Sequence, residues 1–194
     1  MRTLMSVVCL FLVGCASKTS LIEANSIEGW EEINDAEWSV ENGILYGEKD
    51  ARIAKHCILV SKQEYKDFKI KVEYLAINGN SGFYFRLQPE NNPVGFKGFH
   101  ADIDATGKHS GGLFDVGVKW MNKPEPKEVA KVFKLGDWNT MEIEAIGDQV
   151  DITLNGTKMT SLKSNRSSKG KLGIQLHSNE NTKIKFKTIE ITEL

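Results

Sequence analysis

Residues 68–115, FKIKVEYLAINGNSGFYFRLQPENNPVGFKGFHADIDATGKHSGGLFD, decide how the chain is read. Phe68, Ile70, Val72 and Tyr74 alternate with Lys69, Lys71 and Glu73; Phe83, Phe85 and Leu87 alternate with Tyr84 and Arg86. Phe99, Ala101 and Ile103 alternate in turn with His100, Asp102 and Asp104. A period of two sends neighbouring side chains to opposite faces of a sheet, so each run predicts a strand with one apolar side. Three such strands in one sheet would gather Glu73, Tyr84, Arg86, His100, Asp102 and Asp104 on its other face. That inventory is unusual for a solvated surface and marks the face as the candidate site.

The rest of the chain continues the pattern. Glu41-Asn42-Gly43, between Trp38–Val40 and Ile44–Tyr46, and Asn155-Gly156, after Gln149–Leu154, carry the Asn-Gly turns that favour tight hairpins. Asn78–Gly82 reads as a hairpin loop between the first two strands above. Further strands are expected over 138–145, 157–159, 170–177 and 182–192. Between them, 116–137 is irregular, with one short helix starting near Pro126. Many short strands and almost no amphipathic helix predict an all-β sandwich or jelly roll.

The 194 residues suffice for one domain with its own core, and a formal charge of −1 offers no basic field for nucleic acid. Residues 1–14 read as a signal peptide: Met1-Arg2, then an apolar run too short to span a bilayer. Leu12-Val13-Gly14-Cys15 resembles the lipobox of bacterial lipoproteins. This implies cleavage before Cys15, lipidation of Cys15, a tether over 15–22 and a globular domain over 23–194. The expected location is a bacterial cell envelope, with the membrane reached through the lipid alone. Cys57 then has no intramolecular partner, and its apolar surroundings predict a buried small side chain.

Two more strands enrich the loaded face. Gln175 and His177 share the two-residue spacing of His100 and Asp102, which places such pairs about 6.6 Å apart on one side of a strand. His109 lies between glycines in an exposed loop. Three chemistries suit these residues. Two carboxylates, Asp102 and Glu73, could cleave a glycoside. His100, Asp102, Asp104, His109 and His177 are acceptable metal ligands, although no tight ligand spacing supports a metal. A His or carboxylate base could also remove a proton beside a carbonyl while Arg86 holds the enolate oxygen. Each residue alone is better explained by an ion pair or a structural hydrogen bond. Their number on one face favours function.

Several ordered motifs resemble the 3-keto-disaccharide hydrolase domain family: Trp38–Gly43, Asn80-Ser81-Gly82 with Phe85-Arg86, Gly98–Ile103, Gly112–Asp115, Trp138-Asn139, Leu154–Gly156 and Gly173–His177. The resemblance runs from about residue 25 to the C-terminus. It implies a concanavalin A-like jelly-roll β-sandwich and cleavage of glycosides already oxidised to a ketone at C3. It also implies a site of Glu73, Arg86, His100, Asp102 and His177, with Asp102 or His100 as base and Arg86 as oxyanion partner. Tyr84, Asp104, His109 and Gln175 would contact an oxidised oligosaccharide or glycoside. No cofactor is required, and a divalent metal is compatible. A non-catalytic carbohydrate-binding module on the same fold is the alternative; Tyr84, the one aromatic expected on the face, is few for a sugar platform. An architectural envelope lipoprotein is the third reading.

Overall fold

A computed structural model describes residues 17–23 and 26–194; residues 1–14 and Cys15, read as signal peptide and lipidation site, lie outside the described residues. Two antiparallel sheets pack face to face. The eight-stranded sheet runs β13 (Thr157–Lys163), β12 (Gln149–Leu154), β11 (Asn139–Ile146), β6 (Phe68–Asn78), β15 (Thr182–Glu193), β4 (Ile44–Lys49) and β3 (Glu37–Glu41). β1 (Lys18–Ser20) pairs with the end of β15, continuing the line of β4. The seven-stranded sheet runs β10 (Lys119–Asn122), β9 (Leu113–Asp115), β8 (Phe96–Asp104), β7 (Asn80–Pro89), β14 (Gly170–Leu176), β5 (Cys57–Tyr65) and β2 (Trp30–Ile33). One helical turn, α1 (Pro126–Val129), begins at the expected proline. No helix among the described residues is long and apolar enough to cross a membrane.

The all-β expectation holds: this is the concanavalin A-like sandwich. The core lies between the sheets, built from the apolar alternates of both, and Cys57 is fully buried there with its thiol directed at the Asp35 carbonyl. The ordered domain starts earlier than the sequence indicated, because Lys18–Ser20, read as part of a tether, is paired in the sheet.

The grouping of the three central strands needs correction. β6 belongs to the eight-stranded sheet, while β7 and β8 belong to the other. Alternation reports which side of a strand is apolar but not which sheet the strand joins. Phe68 and Phe85 do not lie side by side; they meet edge to face across the core, 6.2 Å between ring centroids. The turn expected between β6 and β7 is a corner between sheets, made at Gly79 with φ +71°. Any Cβ there would crowd Thr182 and the Asn181 carbonyl.

β7 also breaks its own alternation. Arg86 has φ +51° and sits where the pairing with β8 shifts register, so Leu87 leaves the core side and joins Tyr84 on the outer face. The Arg86 side chain is fully buried at one end of the sandwich. Its Nε donates to the Lys66 carbonyl (2.8 Å), and Nη1 donates to those of Gly147 (2.8 Å) and Ser167 (3.4 Å). Nη2 pairs with Asp67 Oδ1 at 3.0 Å, an oxygen that also accepts the Gly147 N–H. Burial pulls the guanidinium below its usual pKa, opposed by Asp67. Arg86 is a structural clamp on three turns. Arg86→Met should lower unfolding free energy by about 3 kcal/mol or more in urea titrations, because several buried acceptors lose their donor. Sugar binding per folded molecule should not change; lost binding at unaltered stability would overturn the clamp.

Candidate active site

The outer face of the seven-stranded sheet carries two rows of residues that run across the strands. One row is Phe114–His100–Tyr84–Gly173–Val60, from β9 to β5. The other is Asp102–Gly82–Gln175–Ile58. Residues opposite one another in such rows sit about 5 Å apart, close enough to act as a unit. Gly82 is the junction: the His100 imidazole lies over it, and a Cβ at that position would overlap Nε2. The absent side chain lets an imidazole occupy the space between Asp102 and Gln175. Tyr84 supports it edge on, with ring centroids 4.7 Å apart.

Above these rows is a cavity of ≈ 430 Å³, within the range of small-molecule sites. Its middle is formed by Asn80, Tyr84, His100 and Asp102, from β7 and β8. One flank is aromatic and aliphatic: Phe114, Trp120 and the loop Val116–Val118, together with Val94. The opposite flank is polar, with Gln175, His177 and His56, the last just ahead of β5. A larger hollow of ≈ 680 Å³ at the other sheet's β3–β4 edge is a weaker candidate. Two of its four carboxylates are already matched, Asp50 by Arg52 and Glu48 by Lys183.

The polar contacts in the cavity are incomplete. Among the described residues five buried side-chain atoms lack a hydrogen-bond partner, and three belong here: His100 Nε2, Asp102 Oδ2 and Gln175 Oε1. Each such group costs about 1–3 kcal/mol, so three together point to a site that a ligand completes. Asp102 Oδ1 accepts from Asn80 Nδ2 at 3.0 Å. Gln175 Nε2 lies 2.8 Å from His56 Nδ1, which also faces the Ser178 N–H at 3.1 Å. His177 Nδ1 contacts the Ser178 carbonyl (2.9 Å) and Glu180 Oε1 (3.1 Å), while its ring meets that of His56 edge on at 4.8 Å.

Burial sets the protonation states. It drives the Asp102 carboxyl up to about 7, with Asp104 and Glu180 adding to the effect and Asn80 opposing it. It lowers His100 to about 3 and His56 to about 4; His177 adds to the effect at both, Lys49 adds to it at His56, and a backbone bond to Ser81 opposes it at His100. Burial also raises the Tyr84 phenol. Near neutral pH the site therefore holds two neutral imidazoles beside a carboxyl that can gain or lose its proton.

The residues expected from sequence divide cleanly. Tyr84, His100, Asp102, Gln175 and His177 converge in the cavity. Glu73 does not: it lies on the outer face of the opposite sheet, accepting from Thr188 Oγ1 at 2.6 Å with Lys71 and Lys187 nearby. The Thr188 hydroxyl holds its carboxyl below the usual value. Arg86 is the clamp already described. Asp104 caps a turn through the Thr106 N–H and hydroxyl, and His109 packs behind Trp120 with Nδ1 against the Pro124 carbonyl. Of the five proposed metal ligands only His100, Asp102 and His177 line the cavity, and among the described residues no three or more such groups are placed to hold a metal ion. His56, Asn80, Phe114 and Trp120 were missed. Phe114 and Trp120, edge to face at 5.4 Å, also correct the expectation that Tyr84 is the one aromatic here.

Protonation makes a prediction about stability. Asp102 titrates near 3.8 when unfolded and about 7 when folded, so its contribution is full below 3.8 and lost as pH rises through 7. Asp102→Asn should therefore raise stability at pH 8 by on the order of 2–4 kcal/mol, with the gain vanishing near pH 4. His56 and His100 act in the opposite sense: their contribution, present above 6.5, is lost as pH falls toward 4 and 3. Thermal melts across pH 4–9 on both proteins check this, and a gain independent of pH would contradict a buried, raised carboxyl.

No curated protein sequence matches the chain. Among solved structures, a candidate glycosyl hydrolase from Parabacteroides distasonis ATCC 8503 is similar at TM-score 0.68 and 24% identity, covering 91% of this chain and 94% of that one. The carbohydrate-binding module CBM66 of Bacillus subtilis is similar at TM-score 0.66 and 16% identity, over 85% and 96% of the two chains. A Bacillus subtilis protein with a galectin-like fold is similar at TM-score 0.68 and 11% identity, over 91% and 94%. At these identities the likeness is one of fold. The sequence itself is more specific: residues 17–192 match the profile of one domain family, and the chain belongs to the 3-keto-alpha-glucoside-1,2-lyase-like domain family.

Proposed function

We propose that this domain cleaves glycosides whose sugar ring carries a ketone at C3. Asp102 removes the proton from C2, and the group on C1 leaves by elimination. The ketone is what makes this chemistry available, because it acidifies the adjacent C–H and spreads the resulting charge onto oxygen. Water adding across the new C1–C2 double bond yields the free oxidised sugar. Asp102 carries the reading: it is a buried carboxyl with one oxygen anchored by Asn80, the other unpartnered, and a pKa of about 7. A base for a weakly acidic C–H works best with a pKa near the working pH. The neutral His100 beside it is a weaker base and is better suited to orienting the ring by a hydrogen bond.

The two flanks of the cavity support a reading of its ends. The oxidised ring lies toward Gln175 and His177, where hydroxyls and a carbonyl find partners. The leaving sugar lies against Trp120 and Phe114, whose apolar faces suit the C–H face of a pyranose. With Asp102 the one carboxyl lining the cavity among the described residues, two-carboxylate glycoside hydrolysis lacks its second group there. Lipidation at Cys15 would place this activity on the bacterial envelope. Binding without turnover is the second reading, favoured by the aromatic pair Phe114 and Trp120.

The test is incubation with a 3-keto-disaccharide and with its unoxidised parent. Monosaccharide release from the ketone alone is expected, and binding of both sugars without release would establish the module instead. Asp102→Asn should reduce kcat by 10²-fold or more, on the scale of ~10²–10⁴ for a general base. Activity should rise with pH through about 7 as Asp102 ionises. Trp120→Ala should raise KM roughly 10-fold with kcat little changed, as expected for a stacking contact of about 1.4 kcal/mol.

A further inference from the structure

Elimination beside a ketone needs a partner for the oxygen that becomes negative, and Arg86, the residue expected for that role, is sequestered at the end of the sandwich. No lysine or arginine lines the cavity among the described residues. We propose that His56 is that partner: a neutral imidazole whose Nε2–H donates to the C3 oxygen as the enolate forms. This rests on the reading of the site as a 3-keto-glycoside lyase centre and names the residue that would make the chemistry possible there.

The hydrogen bonds fix the tautomer. A backbone N–H can only donate, so the Ser178 amide 3.1 Å from His56 Nδ1 requires a lone pair on that nitrogen. The ring proton must then be on Nε2. The same lone pair fixes the Gln175 side chain, whose nitrogen 2.8 Å away has to be the donating NH₂. Its oxygen is left facing away, which accounts for Gln175 Oε1 being buried without a partner. His56 stays neutral because a proton on Nδ1 would face two donors. Burial, the edge contact with His177 and the charge on Lys49 act in the same direction. The Ser178 carbonyl meanwhile faces His177 Nδ1 at 2.9 Å, so one residue's backbone gives the two rings opposite polarity. His56 presents a proton at Nε2.

A neutral imidazole is a good electrophile for an enolate, since its N–H and the enol are both weak acids, and other enzymes use one beside a carbonyl. Gln175 Nε2, bound to His56 Nδ1, holds the ring so that Nε2–H is the group left to meet the ketone oxygen. The bond to His56 strengthens only as charge develops, so its effect belongs in kcat rather than KM.

Long-range ¹H–¹⁵N NMR of the imidazoles in the intact domain reads the tautomer without substrate. His56 is expected to carry its proton on Nε2 from pH 5.5 to 8 without titrating; a proton on Nδ1, or titration near 6.5, would overturn the proposal. Kinetics on the 3-keto-disaccharide supply the second measurement. His56→Phe should lower kcat roughly 10²-fold, the scale of losing one oxyanion donor, with KM within about threefold. His56→Gln, which keeps an N–H near the same place, should recover about a tenth of the lost rate. Equal loss in both variants, or a loss confined to KM, would mean a structural role. If the wild-type protein does not turn over the ketone, the lyase reading fails, and titration with the same sugar decides separately on His56. A shift of its Nε2 resonance, absent with the unoxidised parent, supports the donor; no shift overturns it.

Discussion

A missing side chain at Gly82 is the constraint on which the site depends. Along its row, Gly82 stands between Asp102 and Gln175, and the His100 imidazole fills the space that any Cβ would take. Tyr84 closes one side of that imidazole and the sheet backbone closes the other, so its charge state follows from packing. The neighbouring carboxyl loses solvent for the same reason. One glycine thereby keeps an imidazole neutral and a carboxylic acid near the midpoint of its titration. Rigid strands hold both, which is how a site achieves fixed geometry without a mobile loop.

The cavity achieves polarity without fixed charge. Its donors and acceptors are amides, imidazoles, the Tyr84 phenol and one carboxyl, and four of these groups are set by a second contact: Asn80 behind Asp102, Ser178 behind both His56 and His177, and His56 behind Gln175. In a low-dielectric pocket such preset dipoles interact strongly with developing charge and need no rearrangement when it appears. A buried lysine or arginine there would hold Asp102 ionised, and would draw in anions in place of neutral sugars. The aromatic flank fits the same logic, because a pyranose offers a largely apolar face.

The fold class was legible in the sequence because a sandwich needs two apolar inner faces, and alternation displays them strand by strand. Sheet membership was not, since Phe68–Tyr74 and Phe83–Phe85 have the same pattern whether they pair or face each other. That ambiguity placed Glu73 in the wrong sheet. Arg86 was misplaced for a different reason: a positive φ at a non-glycine residue reverses the side-chain parity of β7, and nothing in the local composition announces it. His100, Asp102 and Gln175 were legible because they occupy regular strand positions, and His177 because it follows directly on the end of β14. His56 escaped notice as an isolated histidine ahead of the apolar run Cys57–Val60, and Trp120 because 116–137 offered no period. A signal was present in Gly82 and Gly173: glycines at outward strand positions next to loaded residues mark where another group must approach closely.

Arg86 has a consequence for how the molecule comes apart. Its guanidinium joins the turn at Lys66-Asp67, the β11–β12 turn at Gly147 and the segment at Ser167, three parts of the chain far apart in sequence. Ser167 returns a bond to the Arg86 carbonyl, so the latch is closed from both sides. Two of these segments cross between the sheets and the third turns within the eight-stranded sheet, while Arg86 itself is on the seven-stranded one, so neither sheet can peel from its partner at this end while the latch holds. Local fraying is suppressed there, and the sandwich should open first at the end remote from it, where backbone amides would exchange sooner with solvent.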